Sequence, residues 1–504
     1  MTDVPLRQRQ AHLLMLSGLV WLEYLQSVMA SFASVHIRGG IGAAPEEFSL
    51  AAAAYAAVAI VMLFKHRVWV QRFGYRPFIR VSLGFFALGA LLTGLAHDVP
   101  GYMAGRMVQA IGGSALFTGA RVQVQHHTGT DRRTALMCFA IGIFLGAGLA
   151  PLVAAHMLED WGWRSVFLVM VPMTAGVAWL VEYAMPGHEP IEHEQVGRVH
   201  AGATLALVAA AFLLQFVLER LPYDVFASAG WLCALGLPAL AGVAWFLWHD
   251  SARHDGLIPY RHFVDGRFLI GLSVYFFCYV VSAVASYMTP VFLVTGLGFA
   301  VTSSGWLLGA TSLCGLLVMS VHFKLVQHHR HLKHYLWVAL AALCLHGGWM
   351  SAMSSEVTQA QLFVPLLLFN GVFVAVAQGT AAMGTFRNVD EKVFSQAYQV
   401  KNAMRELANA TGVSVATVVL QMRSTLHYER LAEGTAAISP WYAGDGSDPL
   451  LLQAGHAMSA QALQGLAGLA SQQATLMACT DFYWGLSVVA VVAAAVLACQ
   501  RKFA

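Results

Sequence analysis

The chain has 504 residues, of which 58% are hydrophobic and only 11% charged, and its formal net charge is +3. A water-soluble domain carries about 25% charged residues, so a surface this poor in charge, with a mean hydropathy of +0.63, faces a solvent other than water, and lipid fits. The small net charge argues against a nucleic-acid partner, and the seven cysteines, which form no CxxC pair and fall in or beside apolar runs, read as small buried hydrophobes rather than disulfide partners or metal ligands.

A membrane-spanning helix needs about 20 apolar residues. Fourteen stretches qualify, near 12–35, 47–64, 77–96, 100–123, 132–156, 163–185, 200–219, 226–248, 267–293, 302–324, 335–353, 360–384, 396–421 and 480–499. The first is too long for the apolar core of a signal peptide and lacks a clear cleavage site, so it reads as a spanning helix. It contains WLEYLQS (21–27), in which Glu23 is the acid deepest in the first six segments and Gln26 shares its face. The fourth contains GRMVQAIGGSALFTGAR (105–121). Charge at membrane depth is costly unless paired, hydrated or snorkelled. Arg106 therefore either reaches outward to the interface or faces the bundle interior beside Gln109. Gly105, Gly112, Gly113 and Gly119 form a small-residue face for close helix approach. A counter-charge for an inward Arg106 is expected in the same half, and Glu23 is the candidate. A carboxyl in an apolar cavity is drawn toward the acid by desolvation and toward the carboxylate by a nearby guanidinium. That opposition makes it switchable, as proton coupling requires; the plainer alternative is a buried, hydrogen-bonded acid.

The fifth segment, AIGIFLGAGLAPLVAA (140–155), has a close-packing, bendable face of Gly142, Gly146, Gly148 and Pro151. Polar stretches at 187–200 and 249–267 flank the seventh and eighth segments. The chain thus divides as six, two and six helices: 1–185, 186–266 and 267–504. Six plus six is the arithmetic of a duplicated transporter whose halves rock about a central site. The thirteenth segment, SQAYQVKNAMRELANATGVS (395–414), places Gln399, Asn402, Glu406 and Asn409 on one polar stripe and Lys401 and Arg405 on an adjoining face. Such polarity lines water or bonds another helix. Arg405 and Glu406, adjacent in sequence, point about 100° apart and are not expected to be each other's main partner. A long connection, 422–479, follows. It holds the turn-rich SPWYAGDGSDP and then an Ala/Leu/Gln-rich stretch with helical spacing, which reads as an amphipathic helix on the membrane face, serving as a partner surface or as a lid.

Lys and Arg cluster in alternate connections, among them Lys65, Arg67, Arg72, Arg76 and Arg80, which puts both termini on the cytoplasmic side. Histidines at 126–127 and in HHRHLKH (328–334) read as basic, solvated loops or as a metal sensor, the former preferred. No P-loop, zinc-protease or dinucleotide signature occurs, so no ATP-driven pump, enzyme, metal or cofactor is expected.

These residues resemble the major facilitator superfamily and, within it, the fourteen-helix drug:proton antiporters of the EmrB/QacA type. GRMVQAIGGSA is similar to the family's fourth-helix motif through Arg106, Gln109, Gly112 and Gly113. VWVQRFGYR (68–76) is similar to its loop between the second and third helices through Arg72, Gly74 and Arg76. LAPLVAAHMLEDWGWRSVFLVMVP (149–172) is similar to its fifth-helix antiporter motif through Pro151 and to the start of its sixth helix through Trp163, Arg164, Phe167 and Pro172. The acid usual in the second loop is Gln71 here, so the resemblance does not supply the cytoplasmic charge latch. Ala150, Ala154 and Ala155 replace usual glycines, and Glu23 replaces a usual aspartate.

The resemblance implies an all-α membrane protein of the major facilitator fold, with two six-helix bundles and two extra central helices. It implies proton-driven export of amphipathic or aromatic small molecules across a cell inner membrane, together with a periplasmic adaptor and an outer-membrane channel. Glu23, Arg106 and Glu406 are then the candidates for proton coupling. Gln26, Gln109, Gln399, Asn402, Arg405 and Asn409 are candidates for the cavity and its gating, and Arg72, Gly74, Arg76, Gly112, Gly113, Gly146 and Pro151 for conformational motifs. The alternatives are a proton-coupled importer of a metabolite or siderophore and a non-transporting membrane sensor or scaffold.

Overall fold

The computed structural model describes residues 6–124, 129–185, 201–224, 229–251, 266–329, 331–386, 389, 394–442 and 460–500. The expected polar entrance 187–200, most of the exit 249–267, His126 and His127, and most of the SPWYAGDGSDP turn lie outside the described residues. No strand occurs among them.

The first half comprises α1 (Leu6–Phe32), α2 (Ser34–Ile41), α3 (Pro45–Phe73), α4 (Tyr75–Leu95), α5 (Val99–Gln123), α6 (Gly129–Trp161), α7 (Ser165–Leu168) and α8 (Met170–Ala184). Two helices follow, α9 (Ala201–Asp224) and α10 (Ala229–Ser251), which pack on each other. The second half begins with α11 (Gly266–Pro290), which continues as a π-helical turn, Val291–Gly296. Then come α12 (Val301–His328), α13 (Leu332–Ser351), and α14 (Gln359–Leu366) running through the π-helix Leu367–Gln378 into α15 (Gly379–Phe386). The long helices α16 (Phe394–Tyr442) and α17 (Ala460–Cys499) complete it. Nine of the described helices are long and apolar enough to cross a membrane. The helices below that criterion include α5 and α16, whose polar side chains build the site described below. Large apolar side chains such as Trp179, Leu317, Val492 and Trp484 are exposed on the outside, a surface that suits lipid rather than water.

Close approach is made by small residues. On α5, a methyl at Gly112 would overlap the Ser82 carbonyl and the Phe86 amide of α4, and one at Gly113 would lie 2.8 Å from Tyr55 Oη of α3. On α6, a methyl at Gly146 would lie 2.8 Å from the Trp21 carbonyl of α1, two residues from Glu23. The other side of α6 meets the second half: a methyl at Gly305 of α12 would stand 2.7 Å from the Pro151 carbonyl. The glycine face thus sets the depth of α1 and forms part of the seam between halves.

Gly74 separates α3 from α4 at φ +81°, a left-handed conformation that glycine adopts without a Cβ clash. The following turn carries Arg76, whose Nη2 donates to Glu182 Oε2 at 2.7 Å and to its carbonyl at 2.9 Å; Arg80 Nε donates to Glu182 Oε1 at 2.5 Å. A clasp between α4 and α8 therefore exists without an acid at position 71. Arg72 is exposed and lies over the Phe73 ring.

The connection expected over 422–479 is helical at both flanks, since α16 runs on to Tyr442 and α17 starts at Ala460. The Ala/Leu/Gln stretch from 460 onward is continuous with the last apolar segment instead of forming a separate helix. At 1.5 Å per residue, 49- and 40-residue helices exceed a hydrocarbon core of about 30 Å. His427 and Asp481 join them at 2.7 Å, with Arg423 at 3.5 Å.

Gly112→Ala should lower the thermal unfolding midpoint of the purified protein although alanine is the better helix former, because overpacking costs about 1–3 kcal/mol. At Gly176 a methyl would meet no neighbour within 4 Å, and the same change there should have the opposite sign. Two shifts of the same sign would contradict this packing.

Candidate functional site: a cavity floored by an ion pair between the halves

A cavity of about 320 Å³ lies between the two halves. On α1 its lining begins at Glu23 and runs on to Phe32; on α5 it includes Tyr102 and Arg106 but not Phe117 or Arg121; on α16 it starts at Arg405 and continues through Glu406 and Asn409 to Val413. It therefore reaches toward the end of the bundle where α1 finishes and α3 and α5 begin, and it stops at the level of Glu23 and Arg405.

Three polar contacts between halves mark that floor. Arg405 Nη2 donates to Glu23 Oε1. The other oxygen, Glu23 Oε2, accepts the backbone N–H of Phe117 at 2.9 Å. Asn402 Nδ2 donates to Thr118 Oγ1 at 2.7 Å, and the Tyr24 and Tyr279 hydroxyls meet at 3.1 Å. Glu23 and Arg405 are 8% and 4% exposed, a burial that only a paired charge tolerates. Arg405 Nη2 also donates to Glu406 Oε1 at 2.8 Å, so one guanidinium serves two carboxylates.

One expectation is corrected here. The guanidinium that holds Glu23 is Arg405 of the second half rather than Arg106. Arg405 reaches Glu406 in addition to Glu23, because both side chains are long enough to bend back across the roughly 100° between their Cα–Cβ directions. Arg106 instead donates from Nη1 to Gln109 Oε1 at 2.5 Å and lies 4.5 Å over the Tyr55 ring and 5.9 Å from that of Phe167. It lines the cavity, as do Gln26, Asn409 and Pro151, while Gln109 lies behind it. Gln26 is 2% exposed, and both of its amide atoms lack partners among the described residues. Gln399 and Asn402 sit below the floor, outside the lining.

Sequence reasoning gives Lys401 no role. It is buried below the floor, its Nζ 4.1 Å from the Tyr398 ring centroid, 4.6 Å from Tyr275 and 5.3 Å from Phe117. Arg121 lies over Phe394 and Tyr398 at 5.0 and 5.5 Å. Cations stacked on aromatic faces thus back the ion pair on its closed side. The sequence signal is the spacing of Phe394, Tyr398, Lys401 and Arg405 at three and four residues. Arg72, Gly74 and Arg76 are not brought to the cavity.

Arg405→Ala leaves the buried Glu23 and the half-buried Glu406 without their guanidinium and should cost about 3–5 kcal/mol. Adding Glu23→Gln should restore part of that loss. A thermal-unfolding cycle of the four proteins should give a non-additive term of about 0.5–3 kcal/mol; strict additivity would contradict the pairing.

Comparison with known proteins agrees with this architecture. The profile described as "Major Facilitator Superfamily" matches residues 16–413. The chain is 24% identical over 429 residues to the putative multidrug resistance protein MdtD of Cronobacter sakazakii, covering 83% of this chain and 88% of that protein. It is 22% identical over 423 residues to the fatty acid resistance protein FarB of Neisseria gonorrhoeae, covering 82% and 81%. Among solved structures, a bacterial homolog of the human lysosomal transporter Spinster, inward-facing and unoccupied, superposes with a TM-score of 0.61 at 13% identity over 99% of this chain and 97% of that one, a likeness of fold. With a family profile spanning most of its length, two packed helical halves and a cavity on their seam, this chain belongs to the Major Facilitator Superfamily.

Proposed function

We propose that the protein is a proton-driven exporter of amphipathic or aromatic small molecules, a fourteen-span antiporter of the EmrB/QacA type in a cell inner membrane with both termini cytoplasmic. The observation that carries this reading is a buried carboxylate, Glu23, on the wall of a cavity between halves and held by a guanidinium from the opposite half. The names of two relatives, a putative multidrug resistance protein and a fatty acid resistance protein, support export.

The chemistry follows from the shared guanidinium. With Glu23 ionised, Arg405 ties α1 to α16 and the floor is closed. A proton entering through the cavity neutralises Glu23 and removes its charge-assisted bond. Arg405 is then still held by Glu406 on its own helix, so the halves can part without leaving a bare guanidinium in the bundle. A bias of about 3 kcal/mol shifts a two-state equilibrium roughly a hundredfold, which is within reach of one buried charge pair. Substrate leaves on one side and protons return on the other as the floor opens and closes.

The paired extensions of α16 and α17 would stand outside the membrane under this topology, and we assign them to a periplasmic adaptor leading to an outer-membrane channel. Deleting 434–475 should then impair export in cells while sparing transport in reconstituted vesicles, where no adaptor is present. Equal loss in both would make the extensions a lid instead.

Glu23→Gln keeps the side-chain shape and removes the titrating group. It should retain binding of an amphipathic dye while its proton-driven transport into inverted vesicles falls at least about tenfold, the scale of one lost charge-assisted interaction. Transport that keeps the wild-type pH dependence and protonophore sensitivity would remove Glu23 as the coupling acid.

A further inference from the structure

We propose that the cavity takes an organic anion, a carboxylate on an apolar or aromatic body, and that Arg106 binds its head. The inference rests on the transporter reading and names its substrate class. Four formally charged side chains line the cavity: Glu23, Arg106, Arg405 and Glu406. Both carboxylates are already bound to Arg405. Arg106 has no carboxylate within ion-pair distance among the described residues; its partners are the Gln109 amide oxygen and the faces of Tyr55 and Phe167. One of the five guanidinium N–H groups is thus spoken for by a hydrogen bond, and the fork that matches a carboxylate bidentately remains open.

A cationic substrate meets the reverse situation. It would have to take Glu23 or Glu406 from Arg405, and the Tyr55 face that could hold an organic cation is occupied by Arg106. A neutral substrate gains nothing from the guanidinium. The rest of the wall fits an amphipathic body. Phe48, Tyr102, Phe144 and Phe369 present apolar ring surface, and the unpartnered amide of Gln26 adds one polar point. The volume lies at the lower end of small-molecule sites. The anchor is separate from the floor: among the described residues no hydrogen bond or ion pair joins Arg106 to Glu23, so substrate and proton occupy different groups on the same cavity.

The test uses the full-length protein in nanodiscs and three probes of one shape: naphthoate, naphthalenemethanol and naphthylmethylammonium, with affinities measured by titration calorimetry. The wild type should bind naphthoate at least about tenfold more tightly than either congener, the scale of one charge-assisted hydrogen bond. Arg106→Gln should bring naphthoate to the level of the alcohol and leave the alcohol unchanged; Arg106→Lys should keep part of the preference. The wild-type ranking decides the charge preference even if a variant is unstable. Alcohol or ammonium binding equal to or tighter than naphthoate would overturn the proposal, as would a preference unaltered in Arg106→Gln or the failure of all three to bind. The transporter reading is separated by cellular accumulation of neutral and cationic amphipathic dyes with and without a protonophore. Their export alongside a failed anion preference sinks only the substrate class, whereas no energy-dependent export of any probe sinks the reading beneath it.

Discussion

The buried ion pair between Glu23 and Arg405 is the constraint on which the rest of the molecule depends. Neither residue could lie where it does alone, since an isolated charge at 4–8% exposure in a helical bundle is prohibitively costly. Each half therefore needs the other at this level. The backbone N–H of Phe117 and the second carboxylate, Glu406, satisfy what the pair leaves over, so the floor is a bonded layer and not a single contact. It separates a cavity lined by tyrosines, amides and one further cation from a stack of rings and cations formed by Phe117, Tyr275, Tyr398, Lys401 and Arg121.

The packing explains how two helices 382 residues apart in sequence meet within hydrogen-bonding reach. Gly146 lets α1 settle against α6, and Gly305 and Gly309 let α12 settle against the opposite side of the same helix. On the far side of α5, Gly112 and Gly113 admit Phe86 of α4 and Tyr55 of α3, and Tyr55 is the ring that Arg106 lies over. Small residues thus act at a distance from the chemistry by setting where the charged side chains end up. Clasps at the periphery, Glu182 with Arg76 and Arg80 and Asp481 with His427, stay within one half and leave the seam free to move.

Helical structure is legible in the sequence because apolar runs of this length admit little else. Individual site residues are legible for the complementary reason: Glu23, Arg106, Arg405 and Glu406 are charges in segments that should contain none. Their pairing is not, because helical periodicity describes one helix at a time and says nothing of which helices adjoin. Hence periodicity matches Arg106 to the nearest acid in its own half, and it gives no hint that Glu182, at the end of an apolar segment, partners Arg76. Lys401 escapes it because the surroundings of that side chain come from three helices. The stretch after 460 shows the right periodicity, but periodicity alone cannot say whether a helix lies flat or continues its neighbour.

The central claim is that protonation of Glu23 releases Arg405 and lets the halves separate below the cavity. The direct measurement is the distance between spin labels at exposed positions on opposite halves near the closed end, Gln10 of α1 and Gln327 of α12, placed in a cysteine-free background and read by pulsed electron resonance. In the wild type the distance should lengthen as the medium is acidified, and in Glu23→Gln the long distance should dominate in both alkaline and acidic buffer. A distance that lengthens on acidification in Glu23→Gln as it does in the wild type would show that another group opens the floor.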